Sequence, residues 1–448
     1  MPEVLVVHCV DTEGIFNEGL DATFSRINEK TGISVVPSED NLELIRLGKH
    51  PQITTDASLL DLIDSRQISF IDNLDDHHDV LMDLMTGHRN KLLDSFGKGY
   101  VWTWHTLDFV GFKTNPRKRI EGHHPVFDLF NRYIEEAKKV TEVRDILQWH
   151  YHHPPFDGSG IKSGVDWFQR GNYSEILSRK ILDRMWFPCS FRPGEHIERN
   201  AISFWLEQWF PFDYASRSIE KGRGNEQPDD DGRRHDWRRA PTEWGAYRPD
   251  YRDYQVPGDM KRHVARILDT KARAYSIDEF EVEKAFEQAS KASLPVILAV
   301  MNHDYRDMRP DHTHMTELLR SASEKYPEIP FRYCHGVEAM RRHLGLESMP
   351  PIHLDVNVSE NGRQVDVMTD RNPFGPEPWF CFETNRSEAV HEPLYRIGEN
   401  HWRYQFQIPL ADVKAVGLAC NDDAGNTSVL KMELPSGKIR RAEYNYEQ

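Results

Sequence analysis

The tightest constraint on the fold sits at the start of the chain. Residues 4–10 read Val-Leu-Val-Val-His-Cys-Val and run directly into Asp11-Thr12-Glu13-Gly14. A short, nearly continuous apolar run of this kind is expected of a strand buried on both faces of a parallel sheet. Further candidate strands are Tyr100–Trp104, Ile146–His150, Trp186–Phe191 and Pro295–Met301. Helix-like stretches lie between them, at Pro125–Val140, Ile197–Trp209, Ile277–Ala292 and His314–Lys325. Strand and helix alternating at this spacing imply βα units and an α/β fold with a parallel sheet or barrel.

The pattern changes near Met349-Pro350-Pro351. Beyond it come HLDVNV, QVDVM, PWFCFET, YRIGENHWRYQFQI, AVGLAC and SVLKMEL, separated by turn residues. That alternation predicts a small all-β sandwich. The expected organisation is a first domain over residues 1–348 and a second over 349–448. A polar stretch near 218–241, rich in charge, Gly and Pro, reads as a surface insertion of the first domain.

Composition narrows the function classes. The 448 residues carry a formal net charge of −16, which disfavours nucleic acid or an anionic membrane as a general partner. No apolar run is long enough to span a bilayer. The N-terminal apolar run has no basic segment before it and no small-residue cleavage site after it, so a cytoplasmic location is expected. The five cysteines are scattered with no CxxC pair, which points to neither a disulfide framework nor a cysteine zinc site.

Functional groups in parallel α/β folds collect at the carboxyl ends of the strands. Asp11 and Glu13 follow the first strand, and a period of two puts them on one face. Two ionised carboxylates on one face repel, so the pair calls for a cation or a shared proton. Trp149-His150-Tyr151-His152-His153-Pro154-Pro155 closes another strand-like run. Imidazoles are common ligands of zinc and related ions, and His150 can pair with His152 or with His153.

Two further strand ends carry candidates. Arg192, in Ser-Phe-Arg-Pro-Gly-Glu, can grip a carboxylate with two prongs. His303, in Val-Met-Asn-His-Asp, has an acidic neighbour and can serve as a general acid. Other histidines are weaker candidates. Asp75-Asp76-His77-His78-Asp79 reads as a solvated helix start, His123-His124 and His312/His314 as polar loops, and His105 as a pocket-lining or buried core residue.

Taken in order, Asp11/Glu13, the His150–His153 cluster, Arg192-Pro193-Gly194 and His303 resemble the motifs of the polysaccharide deacetylase (NodB-homology carbohydrate esterase) family. The likeness covers roughly residues 1–345 in motif order. It implies a distorted (β/α) barrel and a metal-dependent hydrolase that removes an N-acyl group, acetyl or formyl, from a sugar or glycan. It also implies a divalent cation, zinc being the expected ion. In the roles so implied, Asp11 is the general base and Glu13 a metal ligand beside two of His150, His152 and His153. Arg192 orients Asp11, and His303 protonates the leaving amine. The chain departs from the family in its Asp-Thr-Glu first motif, in Trp149 standing where a first histidine is usual, and in the 218–241 insertion. There Trp237 and Arg233, Arg234, Arg238 and Arg239 are candidates for shaping the substrate site. Alternative functions are a glycoside hydrolase on a related barrel, or an inactive barrel whose sandwich binds carbohydrate through Trp379, Phe380, Trp402 and Tyr404.

Overall fold

The structure, a computed structural model, describes residues 2–15, 20–63, 71, 73–108, 124–152, 172–223, 236–270, 276–347, 349–359 and 363–446. The strands of its first unit are β1 (Val4–Thr12), β2 (Trp102–Asp108), β3 (Ile146–Tyr151), β4 (Ser190–Pro193) and β5 (Phe212–Ser216). They continue with β6 (Ala246–Tyr247), β7 (His263–Asp269), β8 (Val296–His303) and β9 (Phe331–Cys334). Parallel pairing runs β1-β2-β3-β4-β5-β7-β8 and returns to β1, closing a seven-stranded barrel. β9 adds to the first half of β1, and the short β6 lies antiparallel to β7.

Alternation along the strands divides two cores. Leu5, Val7, Cys9, Tyr214, Ile267, Ala299 and Met301 fill the barrel interior. Val4, Val6, Val10, Trp102, Trp104 and Leu298 face outward into a helical shell. Every residue of β1 is buried, as expected for a strand covered on both faces. The helices are α1 (Leu20–Thr31), α2 (Glu39–Arg46), α3 (Ala57–Ile63), α4 (Leu74–Met82) and α5 (Pro125–Ala137). After them come α6 (Asn172–Arg184), α7 (Asn200–Leu206), α8 (Glu279–Lys291), α9 (Arg309–Lys325) and α10 (Gly336–Leu344). The first three form a satellite core of their own around Phe24, Ile27, Leu42 and Ile45. Among the described residues no helix is long and apolar enough to cross a membrane.

The second unit comprises β10 (Leu354–Val358), β11 (Gln364–Thr369), β12 (Trp379–Thr384), β13 (Ala389–His391) and β14 (Tyr395–Gly398). It ends with β15 (His401–Gln405), β16 (Val413–Asn421), β17 (Thr427–Glu433) and β18 (Lys438–Tyr444). These form two antiparallel sheets, ordered β10-β11-β15-β14 and β13-β12-β16-β17-β18, that share one apolar core. The chain is therefore a (β/α) barrel followed by an all-β domain.

Strands β12 and β16 of the five-stranded sheet are buried on both faces. Phe380, Phe382, Val416 and Leu418 point into the sandwich. Trp379, Cys381, Ala415 and Ala419 point the other way, into the barrel's shell, where α6 lies against β12, β13 and β16. Gly417 permits that approach, because a Cβ there would stand 2.8 Å from Ile181 and 2.9 Å from the sulfur of Cys381. The turn between β16 and β17 also reaches the N-terminal ends of β4 and β5. Asn421 donates to the carbonyls of Pro188 and Trp209, and Gly425 packs on the ring of Phe212. The four aromatics weighed as sugar-stacking groups, Trp379, Phe380, Trp402 and Tyr404, are all buried by this packing.

Candidate metal centre

At the C-terminal end of the barrel, β1 delivers Asp11 and then Glu13, and β3 delivers His150 and then His152. One ligand atom each from Glu13, His150 and His152 lies within 4.8 Å of the other two. Nε2 of His152 is 3.7 Å from Oε1 of Glu13, and the two imidazoles meet edge to face at 4.7 Å. Nδ1 of His150 donates to the carbonyl of Arg192 at 3.0 Å, which makes Nε2 the lone-pair nitrogen of that ring. Two imidazoles and a carboxylate are a donor set that suits zinc and other first-row divalent ions while leaving a coordination position open. The residues present therefore fit a cation. His153 lies outside the described residues.

Gly194 makes this cluster possible. A Cβ on it would fall 2.5 Å from Cγ of His152, inside the imidazole. The glycine of the Arg-Pro-Gly segment is thus required for space at the ring it faces. The two residues after it are strained: Glu195 and His196 both have positive φ, 54° and 55°. Nδ1 of His196 donates to the carbonyl of Ala215 at 3.1 Å, and Trp237 Nε1 donates to the His196 carbonyl at 3.0 Å. Trp237 is buried against Ala215, Val264 and Tyr254, so it supports this turn and does not shape a substrate surface. Arg238 pairs with Asp236, and Arg239 pairs with Asp236 and Asp253, which commits both to carboxylates of the protein. Arg233 and Arg234 lie outside the described residues.

Asp11 stands beside the cluster and is gripped by Arg192. Nε donates to Oδ1 at 2.6 Å and Nη2 to Oδ2 at 2.9 Å, while Nη1 donates to the carbonyl of Tyr214. Burial pushes the Asp11 carboxyl upward, but the charge and hydrogen bonds of Arg192 outweigh it and hold the group well below the usual carboxylate range. His303 is the register neighbour of Asp11 on β8. Burial lowers its pKa to about 3, against the pull of Asp11, so it rests as a neutral imidazole. His105 is the register neighbour on the other side, on β2, and is fully buried. Neither of its ring nitrogens has a hydrogen-bond partner among the described residues.

Several histidines sit differently from the sequence expectation. His77 is buried on α4, not solvated, while Asp75, Asp76 and Asp79 around it are exposed. His312 belongs to α9 and is buried, and His124 caps the start of α5 with Nε2 3.1 Å from Asp183. His314, on the same helix as His312, has Nε2 at 3.2 Å from the carbonyl of Ile277. Asp304 follows His303 in sequence, but its carboxylate turns to the segment after β1. There it accepts from the amides of Glu13 at 2.6 Å and Gly14 at 2.8 Å. This role could not be found from sequence, because Asp304 stands 291 positions from Glu13 and 227 from its other partner, His77.

No family model and no curated protein matches the sequence. A solved structure that aligns with the chain is a protein of Parabacteroides distasonis described provisionally as a glycoside hydrolase/deacetylase. It has 8% sequence identity and a TM-score of 0.37, covering 99% of this chain and 85% of that one. At that level the likeness bears on neither activity nor substrate, and the chemistry rests on the residues themselves.

Proposed function

We propose that this protein is a metal-dependent hydrolase that removes an N-acyl group, acetyl or formyl, from an amino sugar or glycan. The observation that carries this reading is the convergence of Glu13, His150 and His152 beside an arginine-held Asp11 and the neutral His303. Glu13, His150 and His152 would hold the cation, with zinc the expected ion. When bound, such an ion supplies an acidified water and polarises an acyl carbonyl.

The chain's own groups then divide the proton work. Asp11 is a weak base, because Arg192 stabilises its ionised form. It can take a proton only from a water that has already been made acidic, and this ties its role to the neighbouring cluster. The proton lost by that water is the one the leaving nitrogen needs when the C–N bond breaks. His303, neutral at rest and adjacent to Asp11, can carry it. The C-terminal sandwich serves as a structural partner of the barrel in this scheme.

The test is metal content and deacylation of N-acetylated amino sugars by the native protein, Glu13→Ala and His150→Ala. Loss of the ion together with activity in both variants is expected. Retention of both would overturn the assignment. Hydrolysis that survives complete chelation would favour the glycoside hydrolase alternative, whose second carboxyl would have to lie about 5 Å or more from Asp11 across the scissile bond.

A further inference from the structure

The turn that carries Glu13 is held by groups drawn from three distant parts of the chain. The Asp304 carboxylate is fully buried and spends both oxygens there. Oδ1 accepts the amide of Glu13, and Oδ2 accepts the amide of Gly14 together with Nε2 of His77 at 3.0 Å. The two consecutive amides converge on one carboxylate, and the chain then turns away at Gly14, whose φ of 73° a glycine adopts without a Cβ penalty. A carboxylate can only accept, so His77 Nε2 carries the proton, and its Nδ1 faces the Tyr133 hydroxyl at 3.3 Å. His77 lies on α4, and on α5 both Tyr133 and Phe130 pack against its ring.

We propose that Asp304 is a positioning residue for Glu13, and that His77, backed by Tyr133, fixes the carboxylate of Asp304. The proposal rests on the reading of Glu13, His150 and His152 as a cation site. Asp304 touches neither His150 nor His152 by any hydrogen bond, so its action on the cluster runs through the Glu13 peptide. Fixing both peptide planes at residues 13 and 14 sets where the Glu13 side chain leaves the backbone, and hence whether its oxygen meets the two imidazoles. Removing such an outer partner of a metal ligand typically weakens metal binding by about 10–100-fold. In Asp304→Asn a side-chain NH2 would replace one acceptor oxygen and face a donor, so at least one of the three bonds is lost.

The experiment compares the full-length protein with Asp304→Asn, His77→Gln and Glu13→Ala. It measures Co2+ affinity by chelator competition, the visible absorption spectrum of the Co2+ form, and the melting temperature without metal. The expected result is a Co2+ dissociation constant raised about 10–100-fold in Asp304→Asn, with a changed visible band. His77→Gln should move both in the same direction by a smaller factor. Native affinity and a native spectrum in both variants would overturn the proposal. Should Asp304→Asn fail to fold, the affinity and spectrum of His77→Gln decide the matter. Glu13→Ala separates the two claims. If it retains native Co2+ affinity and spectrum, the cation site itself is wrong; if it loses them while the other two variants do not, only the positioning role is wrong.

Discussion

Gly194 lies so close to His152 that a Cβ on the glycine would stand 2.5 Å from Cγ of the imidazole. The φ of Gly194 is not in the left-handed region, so alanine is compatible with the backbone and the conflict is confined to the ring. Gly194→Ala should therefore keep the fold and displace His152. We expect cation affinity to fall about 10-fold or more, as when a ligand is misoriented, with little change in the metal-free melting temperature. Isothermal titration with Zn2+ checks this, and unaltered affinity would show that His152 is not a ligand.

Arg192 and Asp11 form a two-pronged pair that lysine cannot reproduce, since an ammonium offers a point charge in place of a planar fork. Its backbone carbonyl, which orients His150, is unaffected by the change. Arg192→Lys should thus lower kcat/KM by about 100-fold, roughly 2.7 kcal/mol of transition-state stabilisation, while metal content stays at the native level. Arg192→Ala is harsher. It leaves a buried carboxylate without its counter-charge, and about 3–5 kcal/mol of stability should be lost. Steady-state kinetics and urea unfolding separate the two effects; full activity in Arg192→Lys would contradict the role given to the pair.

Acid should destabilise the fold well before its carboxylates titrate. Burial lowers the pKa of His8 to about 4, of His312 to about 3 and of His335 to about 4. In the unfolded chain each titrates near 6.5. As pH falls below about 6.5 the unfolded state binds protons that the folded state refuses, so stability drops by about 1.4 kcal/mol per pH unit for each histidine. Asp11 has the opposite chemistry and the same consequence at lower pH. Its folded pKa is depressed, so its contribution is present above about pH 4 and is lost as the pH falls further. Melting curves between pH 7.5 and 4.5 should show a steep decline, and a flat profile would mean that these histidines are not buried as described.

Trp379 is fully buried between β12 and the barrel, against Trp209 and His391, with its Nε1 donating to Ser178 Oγ at 3.3 Å. Trp379→Ala should cost about 3–5 kcal/mol, and the two units should still unfold in one transition because they share an apolar interface. Calorimetry reads both quantities. Two separated transitions in the native protein would show that the interface is weaker than its burial implies.

Much of the candidate site was legible because it stands at the ends of apolar runs. Asp11, Glu13, His150, Arg192 and His303 each follow a hydrophobic stretch, and parallel strands bring such ends to one side of a barrel. The strands β5, β7 and β9 were missed. FDYAS and FRYC are too short and too polar to stand out, and HVARILD is interrupted by an arginine. β13 and β18 were missed for a related reason, being short or largely polar at the edges of their sheet. Arg266 in β7 is buried because Glu281 of α8 pairs with it through both oxygens, a partner that local pattern does not reveal. The alternation in the run WFCFET points to a strand whose aromatics pack in a core or against the neighbouring unit. It is apolar on both sides because α6 covers the face that would otherwise meet water.

What the amino-acid sequence determined by itself is the alternation of strand and helix in the first unit, the change from α/β to all-β character, and the residue types available for chemistry. Each of those depends on local periodicity, on turn residues and on what a side chain can donate or accept. Only the tertiary structure decided which of these groups meet. It drew His77 to Asp304 and Asp304 to Glu13, made room for His152 over Gly194, and buried Trp237 and Trp379. Those outcomes depend on closing a barrel across hundreds of residues, and contacts at such separation follow from packing and hydrogen-bond satisfaction, which no local window of sequence contains.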